Sequence, residues 1–187
     1  DVTIDDADQF DPITPAGLPV NGGPLTVPPL GEIQVTQNSV PTVEIGPSLT
    51  NMPILALGLQ EIGNDPVRIK SLAVNAAGSG NDSTDITELR LHLDADASAT
   101  VSANDALLAI AFYNADNGTA TFTGVDFVIS ANSQINLLVT YNTATKEQVT
   151  IGETFQVIVA ANGFTLESAT DSRTVAANGL PQAGASL

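Results

Sequence analysis

The sequence predicts an all-β protein: an antiparallel β-sandwich carrying an extended N-terminal arm. Three observations predict it. Short apolar runs built from Val, Ile, Leu and Ala recur along the chain, cut by Asn, Gly, Asp and Pro, a mixture that favours strands and turns. No stretch sustains the 3.6-residue period of an amphipathic helix. Six of the eleven prolines and four of the fifteen glycines lie in the first 31 residues, so the front of the chain differs in kind from the rest.

That front segment, residues 1–31, is read as the arm. Proline withholds a ladder donor and glycine costs entropy when ordered, so the segment is extended and packs poorly by itself. Its opening, DVTI, alternates like a strand and is suited to completing the sheet of another subunit. Asp5, Asp6, Asp8 and Asp11 follow without ligand spacing and read as a solvated acidic run.

The body, residues 32–187, is read as the sandwich domain, with a barrel as the alternative closure. Strands are expected at EIQVT (32–36), TVEI (42–45), ILALGLQE (54–61), VRIKSLAV (67–74), ITELRLHL (86–93) and ALLAIAFY (106–113). Further strands are expected at TATF (119–122), DFVI (126–129), INLLVTY (135–141), TFQVIVA (154–160) and FTLES (164–168). ITELRLHL shows the logic: Leu89, Leu91 and Leu93 share one face, and Glu88, Arg90 and His92 share the other, as a half-buried strand requires. Asn162-Gly163 and Asn117-Gly118 tolerate positive φ and are read as hairpin turns.

Charge narrows the functional classes. Twenty-one acidic residues against five basic ones give a formal charge of −16. Backbone binding to nucleic acid needs clustered Lys and Arg, so nucleic acid is excluded as a partner, and anionic lipid is disfavoured for the same reason. Such a surface attracts cations, and it also suits solubility in a salty or acidic setting. There is no cysteine, hence no disulfide and no thiolate metal site. No run of 18 apolar residues is present, so no helical membrane span is expected. A chain opening on Asp rather than Met reads as a processed, secreted product located outside the cell or on its surface.

One stretch has the rhythm of a metal loop. Counting Asp94 as position 1 of LDADASATVSANDALL, oxygen-bearing side chains fall at 1, 3, 5, 9 and 12: Asp94, Asp96, Ser98, Ser102 and Asp105. With the carbonyl of Thr100 at position 7, these are the places from which a twelve-residue calcium loop draws its oxygens. Ala99 stands at position 6, where glycine normally makes the sharp turn, and Asp105 at position 12 reaches less far than Glu. The loop joins two strands, so a bound ion would pin it rather than throw a switch. Asp82 and Asp85, just before ITELRLHL, are candidates for additional oxygens.

Residues 64–122, NDPVRIKSLAV through the loop to NADNGTATF, resemble a domain type that recurs in bacterial and archaeal surface proteins. There a strand pair is joined by a D-x-D-x-x-x-x-V-x-x-x-D-x-L-L loop and followed by an Asn-Gly turn. The resemblance implies an extracellular, immunoglobulin-like sandwich, often in an adhesive or structural protein, with Asp94, Asp96 and Asp105 as the matching acids; the fold class expected for the body is an immunoglobulin-like or jelly-roll-like sandwich. Ala97 and Ala99 depart from the Asn or Gly usual in such loops.

Catalysis finds no foothold. His92, the sole histidine, reads as a surface residue on a strand's polar face, and no nucleophile elbow, phosphate loop or zinc pattern is present. The expectation is therefore a non-enzymatic, secreted structural subunit. It would polymerise with itself into a pilus-like surface fibre by donating its N-terminal strand. The alternative is a calcium-stabilised adhesion or carbohydrate-binding module of a larger surface protein.

Overall fold

Alternation along single strands decides which way each one faces. In a computed structural model, described for residues 30–41, 44, 46–145, 150 and 152–187 and for the backbone of Ile4–Asp5 and Pro12–Ile13, strand β5 (Val67–Gly78) buries Val67, Ile69, Leu72, Val74 and Ala76. The intervening Arg68, Lys70, Ala73 and Asn75 stay partly exposed. β6 (Ile86–Leu93) does the same with Leu89 and Leu91, and its bounds are those expected from the sequence. The molecule is all-β and sandwich-like, with one short helix among the described residues, α1 (Asp82–Asp85).

The remaining strands are β1 (Ile4–Asp5), β2 (Pro12–Ile13), β3 (Glu32–Asn38), β4 (Met52–Glu61), β7 (Ala106–Ala111), β8 (Thr119–Ile129), β9 (Gln134–Thr143), β10 (Phe155–Val159), β11 (Phe164–Ser168), β12 (Thr174–Asn178) and β13 (Gln182–Ala183). β1 and β2 pair only with each other, and β3 to β13 form one continuous ribbon, β8–β5–β11–β12–β3–β4–β9–β6–β7, with β10 and β13 extending it from the far half of β5. β12 links the two layers. Its first residues pair with β11, and Ala176–Asn178 pair in parallel with Glu32–Gln34 of β3. The sandwich is thereby closed along the β3 margin. Along the opposite margin β7 pairs only with β6 and β8 only with β5, leaving a seam between two chain-consecutive strands.

Side chains from both layers fill one apolar core, including Ile54, Leu57, Leu72, Leu89, Phe122, Val139 and Phe155, all fully buried. Each such side chain contributes about 1.5–3 kcal/mol by leaving water. Within it the Tyr113 and Tyr141 hydroxyls meet at 3.1 Å, with the rings edge to face, so neither phenol is buried without a partner.

Several expectations need correction. TATF and DFVI belong to a single strand, β8, kinked where Gly124 and Asp126 take positive φ of 67° and 50°. Asn162-Gly163 is not a hairpin. β10 and β11 both pair antiparallel to β5, one after the other, so the chain only jogs there. The Gly163 N–H closes a turn on the Ala160 carbonyl at 2.9 Å, and neither residue takes left-handed φ. Asn117-Gly118 does turn, with Asn117 at φ 50°, but it carries the chain from β7 in one layer to β8 in the other. β12, β13 and α1 were not expected. Most of the expected strand at 42–45 and most of the expected DVTI strand lie outside the described residues.

Candidate metal centre

β6 delivers the loop. After Leu93 the Asp94 N–H still donates to the Asn136 carbonyl of β9 at 2.9 Å, and the chain then leaves the sheet. Its return is set by carboxylates binding backbone amides, the local competition that makes Asp and Ser turn formers. Asp94 accepts from the Ser98 N–H at 3.0 Å with one oxygen and from the Ala99 N–H at 2.9 Å with the other. Asp96 accepts from the Ser98 N–H at 3.1 Å. Asp105 accepts from the Ala95 and Ser102 N–H groups at 2.9 and 2.6 Å. Ala97 and Ala99 both take φ of 55° to allow this curvature.

Three of the six expected ligand residues are brought to one point. Carboxylate oxygens of Asp94, Asp96 and Asp105 lie within 4.8 Å of one another, Asp94 buried, Asp105 half-buried and Asp96 exposed. Ser98 and Thr100 satisfy each other instead. The Ser98 hydroxyl donates to the Thr100 carbonyl at 3.0 Å and lies 3.1 Å from the Thr100 hydroxyl. The Ser102 hydroxyl accepts from the Asn104 N–H at 3.3 Å. Hydrogen bonds from Ser98 above all, with Asp94 and Ser102 adding to them, hold the Asp96 carboxyl below the usual aspartate range against an opposing effect of burial. Carboxylates this close repel wherever they are charged, and a hard divalent cation is a group that would relieve the repulsion, with water on the exposed Asp96 side adding to its shell. These three carboxylates are the residues here that could hold a hard cation, and they supply three of the six to eight oxygens that calcium takes.

The loop is also anchored by apolar contact. Ala99 packs with Ala56 of β4 and Leu138 of β9 on the face of the sheet turned away from the core, together with Val40 and Val101. This explains why β4 and β9 are buried on both faces. It also corrects the reading of His92 as a surface residue. His92 stands between Leu138 and Leu107 in the ladders of β6 and is only 4% exposed, with neither ring nitrogen hydrogen-bonded among the described residues. Burial first, and Arg90 second, hold its pKa below the ordinary value, against the pull of Asp105.

Asp82 and Asp85 cannot join the cluster. They precede β6 while Asp94 follows it, and eight strand residues span about 26 Å. Asp82 is instead buried, accepting from the Asn117 N–H at 3.2 Å.

Sequence reasoning passed over Glu61. It is fully buried, and its carboxylate accepts from the N–H groups of Gly63 at 2.7 Å, Asn132 at 2.7 Å and Asn64 at 3.1 Å, with longer contacts to Glu32 and Asp65. Burial pushes its pKa up, but the backbone donors together prevail and it lies below the usual glutamate value. The available signal was an acid ending an apolar strand and followed by the turn residues of EIGND.

No protein-family model matches the chain, and no curated protein matches its sequence.

Proposed function

We propose that the protein is a structural subunit that polymerises into an extracellular fibre, its N-terminal arm donating a strand to the open margin of the next copy. One observation supports this reading: the arm joins the sandwich at one margin, and β7, hydrogen-bonded to β6 on one side only, lies at the other. Gly31 enters beside Val67 and Val175, and β3 is separated from β7 by four strand spacings, about 19 Å. β1 and β2 pair with each other, Ile4 opposite Ile13, and not with the main sheet. Donation from one margin to the opposite margin is heterologous and generates open filaments rather than closed dimers. In this reading the 94–105 loop takes calcium and stiffens the turn that leads directly into β7.

The carbohydrate-binding alternative is less well supported, because sugar platforms rely on several exposed aromatic faces and Phe112 is the only exposed aromatic among the described residues, with Tyr113, Tyr141, Phe122 and Phe155 buried. Deleting residues 1–20 tests the proposal. Light scattering and electron microscopy should show a soluble subunit that no longer polymerises. Filaments that form equally well without those residues would refute it.

A further inference from the structure

We propose that Asp82 is a pH-sensitive latch between α1 and the connection from β7 to β8: as the neutral acid it lets the two close over it, and as the carboxylate it drives them apart to reach water. Asp82 is fully buried. One of its oxygens accepts a single bond, from the Asn117 N–H at 3.2 Å, and the other has no partner among the described residues. Bonds to a charged carboxylate close to about 2.7–2.9 Å, so this one is long for an anion. Other buried carboxylates here are better provided for. Glu61 takes three N–H groups at 2.7, 2.7 and 3.1 Å. Asp85, at the other end of α1, has the Asn81 N–H at 2.8 Å on one oxygen and the Thr84 hydroxyl at 2.9 Å on the other. A buried charge with half its acceptor capacity unmet is costly, and opening to water is its relief.

The surroundings add to that cost. The charged groups acting on Asp82 are themselves acids, Asp116 from the connection and Asp85 from α1. Toward the core stand Tyr113, at the start of the connection, and Tyr141 of β9, whose hydroxyls bond each other and whose own ionisation the Asp82 charge opposes. The latch also lies where the fold can yield. β7 pairs with β6 in one layer and β8 with β5 in the other, so residues 112–118 tie the layers together at a margin without a ladder between them. Lifting this connection from α1 leaves the strand pairing intact, a sub-global opening of the kind that amide exchange detects.

Exchange of the Asn117 N–H in the full chain, followed by NMR and corrected for its intrinsic pH dependence, tests the latch. The pKa is raised in the closed state from 3.8 to about 6, so opening grows with pH across that window and levels off above it. Between pH 5 and pH 7, both above the isoelectric point of about 4.1, the opening constant should rise about tenfold. The Val139 N–H of β9, flanked by β4 and β6, should exchange far more slowly throughout. Asp82→Asn should abolish the rise. Because that variant alters a buried side chain, the exposed Asp116 supplies a second: Asp116→Asn removes a repelling charge, so the rise should shrink and level off at lower pH. No rise in the parent, or the same rise in Asp82→Asn, would overturn the latch. So would an Asn117 rate equal to that of Val139, which would mean global unfolding, or a rise in Asp116→Asn as large as the parent's.

Discussion

Asp105 closes the acidic loop by accepting the Ala95 N–H at 2.9 Å, which brings the carboxylate at the loop's end back to the residue beside Asp94. The loop is thus shaped by the same side chains that would hold an ion. Calcium at a hundredfold excess over its dissociation constant adds about 2.7 kcal/mol to folding. For a domain of this size the expected rise in melting temperature is roughly 5–10 °C. Asp94→Ala with Asp96→Ala should remove the calcium-dependent part of the rise in a calorimetric scan. A parent protein whose transition ignores calcium would end the idea.

Ala97 and Ala99 both sit at φ 55°, where an L-residue costs about 1 kcal/mol relative to glycine. Ala97 is exposed, so Ala97→Gly should stabilise by about 0.5–1 kcal/mol in urea titrations. Ala99 is buried against Ala56 and Leu138, so Ala99→Gly trades the same relief against a lost methyl contact and should change stability little. Equal effects at the two positions would contradict this account.

Glu61 fastens the turns at 62–66 and 130–133 to the end of β4. Glu61→Gln puts an amide donor where backbone donors converge and should cost about 2–3 kcal/mol, measured by denaturant unfolding. The pH dependence follows from the sign of the shift. Its pKa is lower in the folded state, so its contribution is present above the ordinary glutamate value of 4.5 and is lost as pH falls through the folded value. Glu61→Gln should therefore flatten the acid limb of the stability curve.

Asp82 behaves oppositely. Burial first, with Asp116 and Asp85 adding to it and the Asn117 N–H opposing, raises its pKa from 3.8 to about 6. Its contribution is full below pH 3.8 and is lost as pH rises through about 6. Asp82→Asn should raise the melting temperature at pH 8 and leave it nearly unchanged at pH 4. A gain of the same size at both values would show that ionisation of Asp82 does not matter.

Local pattern carried most of the strands and little of their pairing. ITELRLHL announces its faces by alternation alone, and the spacing of Asp94, Asp96 and Asp105 foretold their convergence. Asn-Gly announces a turn but not which strands flank it as partners, so Asn162-Gly163 was read as a hairpin where β5 binds both flanking segments. TVAAN at 174–178 has weak strand propensity, and its strand exists because β3, distant in sequence, lies alongside it. His92 was read as solvated because nothing in its own strand reveals that the 94–105 loop folds over that face.

The parallel pairing of β12 with β3 has a mechanical consequence. β3 is the strand into which the arm leads, and it is hydrogen-bonded on both sides, to β12 and to β4. Tension applied through the arm would pull β3 lengthwise against both ladders, whose bonds run across the pull on the β4 side and aslant it on the β12 side. They would have to fail together rather than peel one after another, so the subunit would carry load at the very point where a fibre would apply it.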